Sequence, residues 1–501
     1  MVPAPPPPLP EHVELVRVDV PDLPGAVATS AYASVFIGDP GLDDLPARPE
    51  PLAEIDAVVA EDALAALAVA PWHARGHGGS GVKVAVFDSQ WRDWELLDDE
   101  LSPTSTHDCF SHRSCELPLD SFERLGSTGR HGIACAEVIR DIAPEAELYL
   151  VRVTGLTSLE NAVDWAIREE IDLISMSLSF FNESGYDGSG PINKPMDKLV
   201  DAGILMVTSA GNYATEHWSG DWRDRDHDGL MEFEPGEEGL WVYWNSGSRR
   251  LDVVWDEWST CGTTDLDVYV YDEHGDLVGR STSPQVQREQ REKNQGCQPV
   301  ERTTVNAWDA GWYRVVLRRD RGGDPGRIDL FARGGDVEHP VRAGSIVDPG
   351  THPGVLTVGA VRARDYLRQD VEPFSSQGPT NGGLHKPDIA GPDGLTTYAY
   401  GPVSFFGTSA ATPAVTGALA VLMGSDPDLT PRHAAQQLMS SAELDAATWD
   451  QVDPALGAGR ARLPAIEQGG GGCGFGRLMP MLCIVPALGL RRRSRRPRPT
   501  G

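Results

Sequence analysis

Apolar runs of strand length alternate with helical patterns in two separate stretches of the chain, and this alternation constrains the fold more than any other feature. The runs and helical patterns follow one another as Val82–Phe87, His131–Asp141, Leu148–Val153, Ser158–Glu170, Leu173–Leu178 and Ile204–Thr208, and the pattern resumes at Val355–Val361. Strands that alternate with helices predict a parallel sheet with helices on both faces, because parallel neighbours need crossover connections. We therefore expect an α/β fold.

Between the two stretches, the pattern changes to short strands with a two-residue period. Runs of this kind are Leu251–Trp255, Leu266–Tyr271, Trp312–Leu317 and Ile328–Phe331. The change predicts an all-β sandwich inserted into the α/β domain. We expect the α/β domain at residues 71–217 and 336–466, the insertion at residues 218–335, a proline-rich leader of unknown role at residues 1–70, and a separate tail at residues 467–501.

The charge balance excludes one class of partner. The 501 residues include 43 basic and 74 acidic side chains, for a net charge of −31. Seven of the basic residues lie in the last 25 positions, so the remaining 36 against 74 acidic residues give the rest of the chain −38. Binding to nucleic acid needs a basic face to neutralise phosphates, so nucleic acid is not the expected partner.

Four polar residues lie where strands end or helices begin in the α/β portion. Asp88 and Asn212 each follow an apolar strand, and His131 and Ser409 each open a helical stretch. Because carboxyl ends of parallel strands and amino ends of helices meet at one edge of the sheet, we expect these side chains to lie together.

These residue types together support nucleophilic catalysis. A serine hydroxyl becomes a good nucleophile when an imidazole takes its proton, and a carboxylate fixes the tautomer of that imidazole. The amide of Asn212 is a suitable donor to the oxyanion that develops in acyl transfer. Each residue alone also fits a structural role, as a cap or a turn residue. Four caps have no reason to occur in this order, which favours the catalytic interpretation.

The order Asp88, His131, Asn212, Ser409 and its contexts resemble the subtilisin-like serine proteases. The contexts are Val84–Asp88, His131–Gly132, Ala210–Asn212, Gly407–Ser409 with Pro413, Phe374–Thr380 and Lys386–Pro392. The resemblance implies a three-layer fold with a parallel sheet between helices, and serine endopeptidase activity on protein or peptide substrates. It implies a triad of Asp88, His131 and Ser409, an oxyanion hole at Asn212, and no cofactor for the chemistry.

The resemblance also implies which residues contact the substrate. These are Ser177, Leu178 and Ser179, on a strand that pairs with substrate backbone, together with Ala210 and Gly211. Ser179 stands where the family usually has glycine, so its side chain is expected to narrow a substrate pocket.

Two other functions remain open from the sequence. The first is an inactive, subtilase-like surface protein that binds a ligand through its β-insertion. The second is another serine hydrolase, such as an esterase, but no Gly-x-Ser-x-Gly elbow surrounds Ser409, which argues against it.

The insertion contains an alternating acidic loop. Asp224, Asp226, Asp228 and then Gly229 have the spacing of a calcium loop, but Pro235 stands where an EF-hand would place glutamate. We therefore expect either a looser structural calcium site, completed by Glu232 or Glu234, or a solvated acidic loop.

The cysteines and the C-terminal tail indicate where the protein is located. Cys109 with Cys115, and Cys261 with Cys297, are either disulfides or reduced thiols. Residues 1–10 are proline-rich and lack the apolar run of a secretory signal, so we expect either an intracellular chain or a true start upstream of Met1. The tail combines a glycine-rich linker, Cys473, the apolar run Leu478–Leu490 and terminal arginines, and it resembles the sorting tails of myxobacterial surface proteins. The resemblance implies anchoring at the cell envelope, so we expect an extracellular or cell-surface protein.

Overall fold

The computed structural model describes residues 60–110, 114–119, 129–258, 263–285, 298–444 and 453–466, and the backbone of Ser34–Phe36. The chain divides into two compact units, Met1–Pro464 and Ala465–Gly501, and all described helices and strands lie in the first. Tail residues 467–501 and the pair Cys261 and Cys297 lie outside the described residues.

The described strands are β1 (Ser34–Phe36), β2 (Lys83–Asp88), β3 (Ser105–Asp108), β4 (Glu147–Arg152), β5 (Leu173–Met176), β6 (Ser179–Phe181), β7 (Leu205–Ser209), β8 (His217–Asp221), β9 (Leu240–Trp244), β10 (Gly247–Trp255), β11 (Asp265–Tyr271), β12 (Leu277–Ser281), β13 (Val300–Ala307), β14 (Gly311–Arg321), β15 (Arg327–Arg333), β16 (Gly335–Val337), β17 (Leu356–Arg362), β18 (Ile389–Asp393), β19 (Leu395–Thr397) and β20 (Gly401–Phe405). The described helices are α1 (Glu61–Ala66), α2 (Ala70–His73), α3 (Asp98–Leu101), α4 (His131–Ile142), α5 (Leu156–Arg168), α6 (Lys194–Ala202), α7 (Thr408–Ser425) and α8 (Pro431–Ser440).

Seven strands form a parallel sheet in the order β18–β17–β7–β5–β2–β4–β3. Side chains alternate across the sheet, as the two-residue period of a strand requires. In β2, Val84 and Val86 pack on the same face as α4 and α7, whereas Ala85 and Phe87 pack against α5 and α6 on the other face. The expected α/β fold with helices on both faces is confirmed.

Helices α4 and α7 cross closely on one face of the sheet. Gly417 of α7 makes this possible, since a Cβ atom there would lie 2.8 Å from Cβ and 2.9 Å from Cγ2 of Ile142. Helix α7 is buried almost along its whole length, which explains why its sequence is apolar on all sides. No helix among the described residues is both long and apolar enough to cross a membrane.

Two antiparallel sheets form the inserted sandwich. One has the order β13–β10–β15–β8 and the other β12–β11–β14–β9–β16, and their inner faces share one apolar core that includes Trp244, Trp255 and Val268. The inserted all-β sandwich expected from the two-residue period is therefore present. Its first strand, β8, begins five residues after Asn212.

The α/β core begins before residue 71. Ala60, Ala63, Leu67 and Val69 are fully buried and pack with α4 and α7. Helix α1, Glu61–Ala66, lies in this segment. Part of the expected leader thus belongs to the folded core.

We predict that Gly417→Val destabilises the protein by about 1–3 kcal/mol, because the added side chain must push α4 and α7 apart. Chemical denaturation measures the change in the free energy of unfolding. Gly311→Val is the control, since a Cβ at Gly311 meets no atom within 4 Å and valine suits a strand. Equal free energies for Gly417→Val and wild type would contradict the close helix crossing.

Candidate active site

A buried carboxylate and a buried imidazole meet where β2 ends and α4 begins. Asp88 is the last residue of β2 and His131 the first of α4, and both are fully buried. Asp88 Oδ2 accepts a hydrogen bond from His131 Nδ1 at 2.6 Å, while Asp88 Oδ1 accepts one from the backbone N–H of Gln90 at 2.9 Å. The carboxylate thereby fixes the imidazole so that Nε2 is the nitrogen left for chemistry.

Gly132 allows this close approach. A Cβ atom at Gly132 would lie 2.8 Å from Asp88 Cβ and 2.9 Å from the carbonyl oxygen of Gln90. The Gly132 N–H donates to that same carbonyl at 2.9 Å. The glycine that follows His131 in the sequence is therefore required by the packing of α4 against the end of β2.

The Asp88 carboxylate controls the protonation of His131. Burial alone would lower the pKa of His131, but the negative charge and hydrogen bond of Asp88, together with the Cys135 thiol, outweigh it and hold the pKa well above 6.5. His131 Nε2 is buried and has no hydrogen-bond partner among the described residues, Ser409 included. Such bonds are often absent without substrate and form only in the complex.

Ser409 lies in the first turn of α7 and is 3% exposed. Its carbonyl oxygen accepts hydrogen bonds from Ser177 Oγ at 3.1 Å and from Cys135 Sγ at 3.7 Å. The same Cys135 sulfur lies 4.0 Å from His131 Nδ1. These contacts bring Ser409, His131 and the end of β5 together at one edge of the sheet.

Asn212 is oriented by the residue before Ser409. Its Oδ1 accepts hydrogen bonds from the backbone N–H of Thr408 at 3.0 Å and from Thr408 Oγ1 at 2.9 Å. The Asn212 Nδ2 amide approaches Gly407, where a Cβ would lie 2.8 Å away and where φ is +103°. Glycine fits this position because it has no Cβ and because it tolerates a positive φ. The Asn212 side chain therefore lies close to the start of α7.

Asp393 was not predicted from the sequence. It ends β18, and its Oδ2 accepts a hydrogen bond from the backbone N–H of Gly407 at 3.0 Å, which anchors the turn before Ser409. Burial raises the pKa of Asp393 to about 7, and the nearby charge of Glu372 adds to the shift. The sequence pattern that identified Asp88 could also have identified Asp393, because both are the last residues of strands in the parallel sheet.

The structure brings the expected substrate-contact residues to the same edge. Ser177 and Leu178 follow β5, Ser179 begins β6, and Ala210 and Gly211 precede Asn212. Gly211 has φ of +101°, and its N–H donates to Thr408 Oγ1 at 3.2 Å. Strand β6 pairs antiparallel with β1, with Ser179 opposite Phe36 and Phe181 opposite Ser34.

The inserted sandwich holds β6 from the other side. Arg302 Nη2 donates to the carbonyl oxygen of Phe181 at 3.1 Å. The Arg333 guanidinium lies 4.4 Å from the centre of the Phe181 ring, and Phe331 contacts that ring edge-to-face at 5.3 Å. Asn182, the next residue, donates to Asp252 Oδ1 at 3.2 Å. The expected substrate strand is thus clamped between the α/β core and the sandwich.

Among the described residues, two groups of side chains have possible ligand atoms within 4.8 Å of one another, a spacing that could hold a metal ion. In the first group, Asp88, His131 and Cys135 are buried, and His131 Nδ1 contacts both Asp88 Oδ2 and Cys135 Sγ at hydrogen-bond distances. In the second, Asp224, Asp226 and Asp228 lie in the loop between β8 and β9 of the sandwich.

The chain is similar in sequence to known proteases. The sequence profile described as the Subtilase family, Peptidase_S8, matches residues 79–231 and 269–459. Subtilisin E of Bacillus subtilis is 30% identical over 152 residues, which is 28% of this chain and 36% of that protein. The minor extracellular protease Vpr of Bacillus subtilis is 23% identical over 442 residues, which is 77% of this chain and 51% of that protein.

The fold is also shared with a solved structure. The CspB protease of Clostridium perfringens aligns with a TM-score of 0.56 and 17% sequence identity, covering 80% of this chain and 96% of that chain. The chain therefore spans about a third to a half of the curated relatives but nearly all of this solved structure.

We predict that Asp88→Asn lowers the pKa of His131, because it removes the charge that opposes the effect of burial. NMR titration of the His131 imidazole measures the midpoint, which we expect above 6.5 in the wild type and lower in the variant. The control is Asp93→Asn, which removes a carboxylate paired with Arg130 instead. An unchanged His131 curve in Asp88→Asn would show that another group sets its protonation.

Proposed function

The chain belongs to the subtilase family, and from that membership we propose that it is a secreted or cell-surface serine endopeptidase that hydrolyses peptide bonds in protein substrates. The observation that carries the proposal is the buried Asp88–His131 pair beside the first turn of α7, where Ser409 lies. Such a pair at the end of a parallel strand and the start of a helix serves proton transfer to and from a nucleophile.

In the proposed reaction, Ser409 attacks the scissile carbonyl carbon while His131 Nε2 takes the hydroxyl proton. The imidazolium is stabilised by Asp88, which remains a carboxylate. His131 then gives the proton to the leaving amine, and an acyl group stays on Ser409. Water, deprotonated in turn by His131, attacks the acyl carbon and releases the second product.

The oxyanion of each tetrahedral intermediate is stabilised by the amide of Asn212. The backbone N–H and the hydroxyl of Thr408 both donate hydrogen bonds to Oδ1 of that amide. These two bonds fix the direction of the Nδ2 group. Preorganised donors of this kind need no reorganisation when charge develops. The amino end of α7 adds a favourable dipole for the same negative charge.

The proposed substrate lies against Ser177, Leu178 and Ser179, with Ala210 and Gly211 forming the other side of the pocket. The pairing of β6 with β1 supports the assignment, because an extended antiparallel segment already lies along Ser179–Phe181 in this structure. The hydroxymethyl group of Ser179 takes space that glycine would leave open.

An extracellular or envelope location is part of the proposal. Cys109 and Cys115 form a disulfide, and disulfides persist in oxidising compartments. A relative that matches 77% of this chain is named as an extracellular protease. The tail at residues 467–501, with Cys473 and its arginines, is proposed to retain the protein at the cell envelope.

We predict that Ser409→Ala abolishes labelling by a fluorophosphonate probe and lowers kcat on casein on the order of 10⁶-fold, the size known for the nucleophile of the related subtilisin. Ser425→Ala, in the last turn of the same helix, is the matched control and should keep both properties. Failure of the wild type to label would favour the inactive binding protein, and labelling of Ser409→Ala would exclude Ser409 as the nucleophile.

We predict that Asn212→Leu lowers kcat about 10²–10³-fold with a much smaller change in KM, since the lost donor acts mainly on the transition state. Steady-state kinetics on a peptide substrate measures both constants. Labelling by the probe tests whether the variant is still folded around its nucleophile. A kcat equal to that of the wild type would remove Asn212 from the oxyanion hole.

A further inference from the structure

We propose that the loop between β8 and β9 of the sandwich binds one calcium ion, with Asp224, Asp226 and Asp228 as its side-chain ligands. The proposal is independent of the peptidase function. It narrows the expectation drawn from the sequence, because both carboxylate oxygens of Glu232 already accept hydrogen bonds from the backbone of the loop.

The three aspartates converge on one place. A carboxylate oxygen from each lies within 4.8 Å of the others. Asp226 and Asp228 are exposed, whereas the Asp224 side chain is only 2% exposed. Asp228 Oδ1 accepts a hydrogen bond from the Leu230 N–H at 2.8 Å, which orients this carboxylate in the turn.

Asp224 provides the observation that points to a ligand. Its Oδ2 accepts a hydrogen bond from Arg319 Nη2 at 2.7 Å, but its Oδ1 is buried and has no hydrogen-bond partner among the described residues. A buried carboxylate oxygen without a partner costs free energy. A cation held between Asp224 and the two exposed aspartates would satisfy that oxygen.

Glu232 has another role. Its two carboxylate oxygens accept hydrogen bonds from the backbone N–H groups of Arg225 and Gly236, at 2.8 and 3.0 Å. These bonds close the loop on itself and leave Glu232 as a support for the site.

The charge of the site suits a divalent cation. Of the three carboxylates, only that of Asp224 is paired with a guanidinium group, that of Arg319, so two negative charges remain to be balanced. Carboxylate ligands on an irregular loop suit calcium, which accepts a flexible set of six to eight oxygens, better than magnesium, which demands a near-ideal octahedron.

The test is a terbium titration of the full chain carrying Ser409→Ala, which prevents self-cleavage, after removal of bound metal with a chelator. Trp222 is a suitable sensitiser, because Arg319, which binds Asp224, lies 5.2 Å from its ring centre. We expect sensitised terbium emission that calcium displaces and magnesium does not, and a Tm that rises with calcium.

Paired variants make the assignment specific. Asp226→Asn and Asp228→Asn should each weaken binding about tenfold or more, since affinity follows ligand charge. The control is Asp276→Asn, which changes an exposed acid elsewhere in the sandwich and should bind as the wild type does. Binding of no terbium by the wild type, displacement of terbium by magnesium as readily as by calcium, or undiminished binding in the two ligand variants would overturn the proposal.

Discussion

The buried Asp88–His131 pair is the interaction on which the rest of the α/β core depends. Neither group can be removed from water without the other, because an isolated buried charge costs several kcal/mol. The pair forces the end of β2 against the first turn of α4, and Gly132 supplies the space that this contact needs. A helix fixed at its first residue in this way also fixes where α7 can cross it, at Gly417.

The start of α7 is held from three strand ends at once. Ser177, after β5, binds the Ser409 carbonyl, Asn212, after β7, binds Thr408, and Asp393, at the end of β18, binds Gly407. All three strands belong to one parallel sheet and end at one edge. The position of the proposed nucleophile thus depends on the register of the sheet, because each of these three residues lies at or just after the end of a strand that is aligned with its neighbours.

Local patterns were sufficient to predict part of this structure. Apolar runs predicted the strands around Asp88 and Asn212, and the change to a two-residue period predicted the sandwich, because both signals depend on neighbouring residues. The contacts that escaped prediction join distant parts of the chain. Asp393 to Gly407 and Arg302 to Phe181 depend on which elements become neighbours, and no periodicity encodes that. The burial of Ala60 and Leu67 was missed for the same reason.

Because the sandwich contacts β6, it cannot be removed or exchanged without changing the surroundings of that strand. Cutting it out of the chain would leave the Phe181 carbonyl without Arg302 and would uncover the Phe181 ring, which now lies between Arg333, Phe331 and Tyr213. A relative without such an insertion must therefore close this edge by other side chains. Transfer of the sandwich into another member of the family would need the matching surface of β6 to travel with it, although the two pieces lie far apart in sequence.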